Sequence, residues 1–130
     1  MFTHVMIGSN DIARSKKFYD AVFAALGAQP GTQDPRGRLI YAHNGGRFLV
    51  TTPIDGKPAC HANGGTIGFA TTGSAMVDAW HTAGVANGGT SIEDPPGPRH
   101  PPRPRPAPPP APGPPRHGRE RGVGLSLIHI

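Results

Sequence analysis

Proline is concentrated at one end of this chain, and that concentration limits which part of it can fold. Ten of the 17 prolines lie in residues 100–130, and the densest stretch, residues 100–115, reads HPPRPRPAPPPAPGPP. Proline has a fixed φ and no backbone N–H to donate, so this stretch cannot form a helix interior or a central strand. The sequence therefore predicts a folded domain at residues 1–99, followed by a disordered tail rich in Pro and Arg.

Charge and cysteine content exclude several classes of protein. Residues 1–99 carry eight Lys and Arg against seven Asp and Glu, so the net charge of +5 belongs mainly to the tail, and nucleic-acid binding by the domain is not predicted. A single cysteine, Cys60, excludes an intrachain disulfide framework. No apolar run approaches the roughly 18–20 residues of a membrane span, and the N-terminus lacks signal-peptide features. We therefore expect a cytoplasmic protein without a membrane partner.

A strand, a helix and further strands are predicted in about residues 1–53. A short apolar run ends in turn residues, where Asn10 or Asp11 can cap a helix, and Gly27 is a suitable stop. The apolar face between them consists of Ile12, Phe18, Tyr19, Val22, Phe23 and Leu26. Strands at residues 39–43 and 47–52 flank a glycine-containing hairpin turn, and a weaker strand is predicted near residues 28–32.

A second, shorter unit of the same kind is predicted in about residues 64–99. It contains a strand at residues 66–71, a helix that begins with Ser74 as its cap and ends at Gly84, and the start of a strand within residues 85–92. An offset of 62 residues places Phe18 on Trp80, which favours a duplicated module in which both aromatics are core residues. Residues 53–65 between the units are typical of a linker.

The opening sequence HVMIGSNDIARSKKFY, residues 4–19, resembles that of the vicinal oxygen chelate superfamily, which includes glyoxalases, bleomycin-resistance proteins and extradiol dioxygenases. The resemblance covers residues 1–99 and implies an α+β fold of paired βαβββ modules around a shared cleft. In this chain the second module is incomplete.

Family enzymes hold a divalent metal in that cleft, and the resemblance assigns positions to its ligands. His4 matches the first ligand, but the fourth strand offers Leu49 or Thr51 where a carboxylate is usual, and Thr66 occupies the position that opens the fifth strand. Because three protein ligands are the usual catalytic minimum, we expect no cofactor in the chain as written, while an intact parent could hold a divalent metal. His4 could equally be a packed or capping histidine. Tyr41, Phe48 and Thr66 are candidate cleft-lining residues, although the two aromatics could instead fill the interior.

The resemblance implies a protein that acts on or binds a small organic molecule and forms homodimers. The first interpretation is a lyase- or oxygenase-type enzyme in its intact form, inactive as written. The alternative is a metal-free protein of the bleomycin-resistance type that binds a drug-like molecule. A third interpretation, an adaptor whose proline-rich tail binds SH3-type domains, depends on a natural tail.

The tail also has an interpretation at the level of the gene. Residues 125–130, LSLIHI, match a translation of the transposon end used in sequencing adapters, and a frame shift in GC-rich DNA yields Pro, Arg, Ala and Gly. The hypothesis is therefore that about residues 100–124 are read in a shifted frame and that residues 125–130 are encoded by an adapter. Resequencing the DNA across the codons for residues 98–103 tests it.

Overall fold

The computed structural model describes residues 1–97, together with the backbone of residues 128 and 129. The first unit has the predicted order of elements: β1 (Val5–Gly8), α1 (Ile12–Ala25), β2 (Thr32–Gln33), β3 (Leu39–His43) and β4 (Gly46–Thr51). The sheet order is β1-β4-β3-β2, with β1 parallel to β4 and the other neighbours antiparallel. This arrangement confirms the predicted βαβββ module and the α+β class.

Local sequence explains where α1 and the hairpin begin and end. The Asp11 side chain accepts a hydrogen bond from Arg14 N (2.9 Å) and so caps the first turn of α1, while Gly27 takes a φ of +81° just beyond the helix end. Between β3 and β4, His43 pairs with Gly46 across a two-residue turn in which Asn44 and Gly45 both have positive φ.

The core lies between α1 and one face of the sheet. The helix buries Phe18, Tyr19, Val22, Phe23 and Leu26, and alternate strand residues meet it, namely Leu39, Tyr41, Phe48 and Val50. The intervening side chains of β1, β3 and β4 point to the opposite face, where Met6 is 46% exposed and Leu49 is half-buried.

The second unit differs from the prediction in several places. The structure assigns α2 (Ser74–Ala86) and β5 (Thr90–Ser91), but no strand within residues 66–71. This segment contains a glycine, Gly68, and has no ladder partner among the described residues, so its apolar content alone does not produce a strand. Phe69 nevertheless packs against the core, as does Trp80 from α2.

The ends of α2 were also predicted wrongly. Its N-cap is Gly73, without a side-chain hydrogen bond, and Ser74 is the first helical residue. The helix continues past Gly84 to Ala86, because the Asn87 side chain donates to Ala83 O (2.8 Å) and satisfies a carbonyl of the last turn. Within the part of the chain that the structure describes, neither helix is long and apolar enough to cross a membrane.

β6 (Ile128–His129) pairs antiparallel with β5, Thr90 opposite His129 and Ser91 opposite Ile128. The prediction of a disordered tail rich in Pro and Arg stays a prediction. The remaining statements about residues 98–127 and 130 lie outside the described residues.

Candidate functional site

A cavity of about 650 Å³ lies beside β1. Its walls come from β1 itself, the start of α1, the segment from Ala59 to Ile67, and the aromatic side chains Phe69 and Trp80. Clefts of 300–1,000 Å³ are typical of small-molecule sites in proteins. The cavity is therefore large enough for an organic molecule with one or two rings.

One wall of the cavity is aromatic. Phe18, Tyr19 and Phe48 from the core line it, and Phe69 extends this wall, with ring centroids 5.5 Å from Phe48 and 6.2 Å from Trp80. Burial raises the pKa of the Tyr19 phenol, so this hydroxyl stays neutral at ordinary pH. The wall presents an uncharged, mainly apolar surface.

Trp80 lines the cavity without offering it a polar atom. Its indole Nε1 is buried and has no hydrogen-bond partner among the residues described. Because that atom has almost no surface accessible to a water-sized molecule, the N–H is closed off from the cavity as well as from solvent. Trp80 therefore supplies ring surface to the cavity rather than a hydrogen-bond donor.

Polar groups gather at the start of α1, where they also stabilise the helix. The Ser9 hydroxyl lies 2.7 Å from that of Ser15 and accepts from Asp11 N at 3.1 Å. The Asp11 carboxylate caps the helix through one oxygen, and the Arg14 side chain extends towards the C-terminal end of α2, about 4 Å from the place where a Cβ at Gly88 would lie. One acidic and one basic side chain therefore border this end of the cavity.

The structure separates the four candidate site residues. Phe48 and Thr66 line the cavity. Tyr41 is buried in the core, where its hydroxyl donates to Asp20 Oδ1 at 2.9 Å. His4 is exposed just before β1, with Nδ1 3.0 Å from the Thr3 hydroxyl.

The residues at the family's metal-ligand positions decide whether this chain could hold the metal. His4, Leu49 and Thr51 follow the alternation that places side chains on the sheet face opposite α1, and of these only His4 has a ligating group of the usual kind. Within residues 1–97, no three His, Cys, Asp or Glu side chains come close enough together to hold a metal ion. The residues present in the described part therefore do not fit the metal site of the family enzymes.

Residues 59–62, which the sequence predicts to belong to a linker, line the cavity. Asn10 is predicted only as a possible helix cap, whereas its side chain binds Ala59, 49 residues away. Nothing in the residue pattern indicates this contact, because a side-chain amide that binds a distant backbone leaves no periodic signal.

Three comparisons place the chain among known proteins. The family model described as Glyoxalase/Bleomycin resistance protein/Dioxygenase superfamily matches residues 1–124. The crystal structure of a glyoxalase/bleomycin resistance protein from Albidiferax ferrireducens T118 is 52% identical, with a TM-score of 0.72 over 75% of this chain and 77% of that one. A lactoylglutathione lyase from Agrobacterium tumefaciens is 19% identical, with a TM-score of 0.48 over 72% of this chain and 74% of that one. The chain matches none of the curated proteins.

Proposed function

Because the chain belongs to the Glyoxalase/Bleomycin resistance protein/Dioxygenase superfamily, we propose that it binds a small organic molecule in the cavity beside β1, without a metal ion. The observation that carries the proposal is the cavity itself, which combines about 650 Å³ of space with an aromatic wall. The relative that is 52% identical is described as a glyoxalase/bleomycin resistance protein, a description that includes the bleomycin-resistance type.

The side chains at the metal-ligand positions favour ligand binding over metal-assisted catalysis in this chain. Leu49 has no ligating atom, and the neutral hydroxyls of Thr51 and Thr66 are weak ligands beside the carboxylates and imidazoles of catalytic sites. Affinity would then come from contact with the aromatic wall, at about 25 cal/mol per Å² of apolar surface removed from water. The lyase- or oxygenase-type activity stays a prediction.

The cavity favours a ligand with an apolar ring system and little net charge. Phe48, Phe69 and Trp80 provide ring surface, against which a planar molecule can stack or pack edge-on. Asp11 and Arg14 carry opposite charges at the other end, so they give the cavity no large net field. An uncharged aromatic compound with a few polar atoms can therefore contact both the aromatic wall and the polar groups at the start of α1.

Ligand-observed NMR with a set of monocyclic and bicyclic aromatic compounds tests this proposal. The expected result is binding in the presence of EDTA, with affinity unchanged when Zn²⁺, Ni²⁺ or Fe²⁺ replaces the chelator. Thr66→Trp would fill part of the cavity and abolish that binding. Thr82→Trp is the matched control, because Thr82 is exposed on α2 and is not part of the cavity wall.

Three outcomes would contradict the proposal. Binding that requires an added metal, or purified protein that carries stoichiometric metal, would favour the enzyme interpretation. Binding that survives Thr66→Trp would place the ligand elsewhere. Failure of every compound to bind would remove the support for a small-molecule site in this cavity.

A further inference from the structure

One wall of the cavity belongs to a segment that we call the strap, residues 53–65. It contains neither helix nor strand, and a tight turn lies near each end. Gly56 N donates to Pro53 O (3.1 Å) in the first turn, and Gly65 N donates to Ala62 O (2.9 Å) in the second. Residues 59–62, between these turns, line the cavity.

The middle of the strap is attached to the start of α1 by one side chain. Ala59 N donates to Asn10 Oδ1 at 2.6 Å, and Asn10 Nδ2 donates to Ala59 O at 3.1 Å. The amide thereby satisfies both backbone groups of Ala59, as a neighbouring strand would. A carboxylate or an aliphatic side chain at position 10 could not make both bonds.

Gly8, the last residue of β1, lies in close contact with the strap. A Cβ added at Gly8 would lie 3.0 Å from the Ala59 Cβ and 3.5 Å from the Pro53 Cγ. The strap therefore approaches β1 as closely as the missing side chain allows. Small size at position 8 and the amide at position 10 act together to hold Ala59 at this place.

We propose that Asn10 is the positioning residue of the cavity: its amide holds the strap closed, and loss of the two hydrogen bonds opens the cavity to a small molecule. The role in ligand access rests on the proposed function, whereas the attachment itself does not. Both bonds are neutral and the groups are exposed, so each has a modest net strength. Segments held in this way open locally without unfolding the core.

The expected size of the effect follows from the two bonds. Two neutral hydrogen bonds of ordinary net strength shift an opening equilibrium by roughly 10- to 100-fold. Asn10→Ala removes both bonds and leaves the Asp11 cap of α1 in place. Asn10→Asp keeps an acceptor for Ala59 N but loses the donor for Ala59 O, so its effect should be intermediate.

Hydrogen exchange and fluorescence measure this opening in the protein without a ligand. Exchange of the Ala59 amide should accelerate roughly 10- to 100-fold in Asn10→Ala, while the amides of β3 and β4 exchange as in the wild type. The chain has one cysteine and one tryptophan, and both Cys60 and Trp80 line the cavity. A bimane label on Cys60 should therefore be quenched by Trp80 when the strap is closed, and become brighter in Asn10→Ala.

Asn63→Ala is the matched control, since it makes the same chemical change within the strap at an exposed side chain. It should leave both signals unchanged. Gly8→Ala tests the close contact separately, because the added methyl group would push Ala59 away by a few tenths of an ångström while Asn10 is intact. Wild-type exchange at Ala59 in Asn10→Ala would overturn the proposal, and so would acceleration spread equally over β3 and β4.

A ligand measurement then separates this inference from the proposed function. For any aromatic compound that binds in the NMR screen, Asn10→Ala should increase the association rate and weaken the affinity, whereas Asn63→Ala should change neither. If no compound binds, the proposed function fails, and the fluorescence of the Cys60 label, read together with exchange, still decides whether Asn10 holds the strap. Unchanged association and affinity in a variant whose strap opens would overturn the role in ligand access.

Discussion

The hydroxyl of Tyr41 should stabilise the fold in a way that depends on pH. Tyr41 is 3% exposed, and its hydroxyl donates to Asp20 Oδ1 at 2.9 Å. The same carboxylate accepts from Gly31 N at 3.0 Å and from the ammonium group of Lys16. Tyr41→Phe removes one of these bonds while keeping the ring in the aromatic cluster, so it isolates the contribution of the hydroxyl.

The loss of stability expected for Tyr41→Phe follows from the charge and the exposure of Asp20. A hydrogen bond to a charged group contributes about 1.5–3 kcal/mol, and the lower end applies because the side chain of Asp20 is still 29% exposed. We therefore expect Tyr41→Phe to lower the free energy of unfolding by about 1.5 kcal/mol at pH 7. For a domain of this size, that loss corresponds to a decrease in Tm of roughly 6–12 °C.

The pH dependence follows from the pKa of Asp20. Burial alone would raise this pKa, but the hydrogen bonds from Lys16, Gly31 and Tyr41 outweigh burial and lower it below the usual value. A carboxyl group with a lowered folded-state pKa contributes stability above its unfolded pKa of about 3.9, and loses it as pH falls through the folded value. The cost of Tyr41→Phe should therefore be largest near pH 7 and become smaller as pH falls through the folded-state pKa of Asp20, because a neutral acid accepts a weaker hydrogen bond than a carboxylate.

Urea denaturation at pH 7 and at a series of lower pH values measures this dependence, with Tyr19→Phe as the matched control. Tyr19 is similarly buried, but its hydroxyl has no hydrogen bond among the described residues, so its removal should cost less and show no pH dependence. Equal losses for the two variants at pH 7, or a Tyr41→Phe loss that does not fall as Asp20 becomes protonated, would refute the reasoning.

Three further predictions concern packing, capping and association. Gly31→Ala would place a Cβ 2.4 Å from Tyr41 Cζ and should destabilise the fold by at least about 2 kcal/mol in urea, whereas Gly73→Ala, with open space around it, should cost much less. Asp11→Ala removes the N-cap of α1 and should cost about 1 kcal/mol, so a Tm within one degree of the wild type would contradict it. The outer edge of β1 has no strand partner among the described residues, and Met6 is exposed beside it, so we expect dimers by light scattering and fewer of them in Met6→Lys.

The first module could be predicted from sequence because local signals agree there. The apolar face of α1, the Asp11 cap and the Asn44–Gly45 turn each specify one element, and the same elements pack on one another. The structure of a segment can be predicted from sequence when its local pattern and its tertiary contacts favour the same conformation. The second module lacks that agreement, since Thr66–Thr71 has the composition of a strand but no described partner with which to form one.

The candidate site was less predictable than the fold. Phe48 and Thr66, two of the candidate cleft-lining residues, line the cavity beside β1, and their role in binding stays a prediction. Tyr41 lies in the core instead, since its register opposite Phe48 in β4 turns both rings towards α1. The contact between Asn10 and Ala59 could not be predicted, because it joins a turn to a coil segment across 49 residues.

The two sides of the cavity differ in rigidity, and this difference predicts how a ligand would stabilise the protein. The aromatic wall includes Tyr19 and Phe48, whose rings lie 4.9 Å apart in the packed core, so a ligand finds this surface already formed. Another wall is the strap, which we expect to open at lower free energy than the core. Ligand at 100 times its Kd adds about 2.7 kcal/mol to the stability of the bound form. We expect this stabilisation to slow exchange at Ala59 well before it slows exchange at the amides of β3, because the bound ligand prevents the local opening first. Equal slowing at both places would mean that the strap and the core open together.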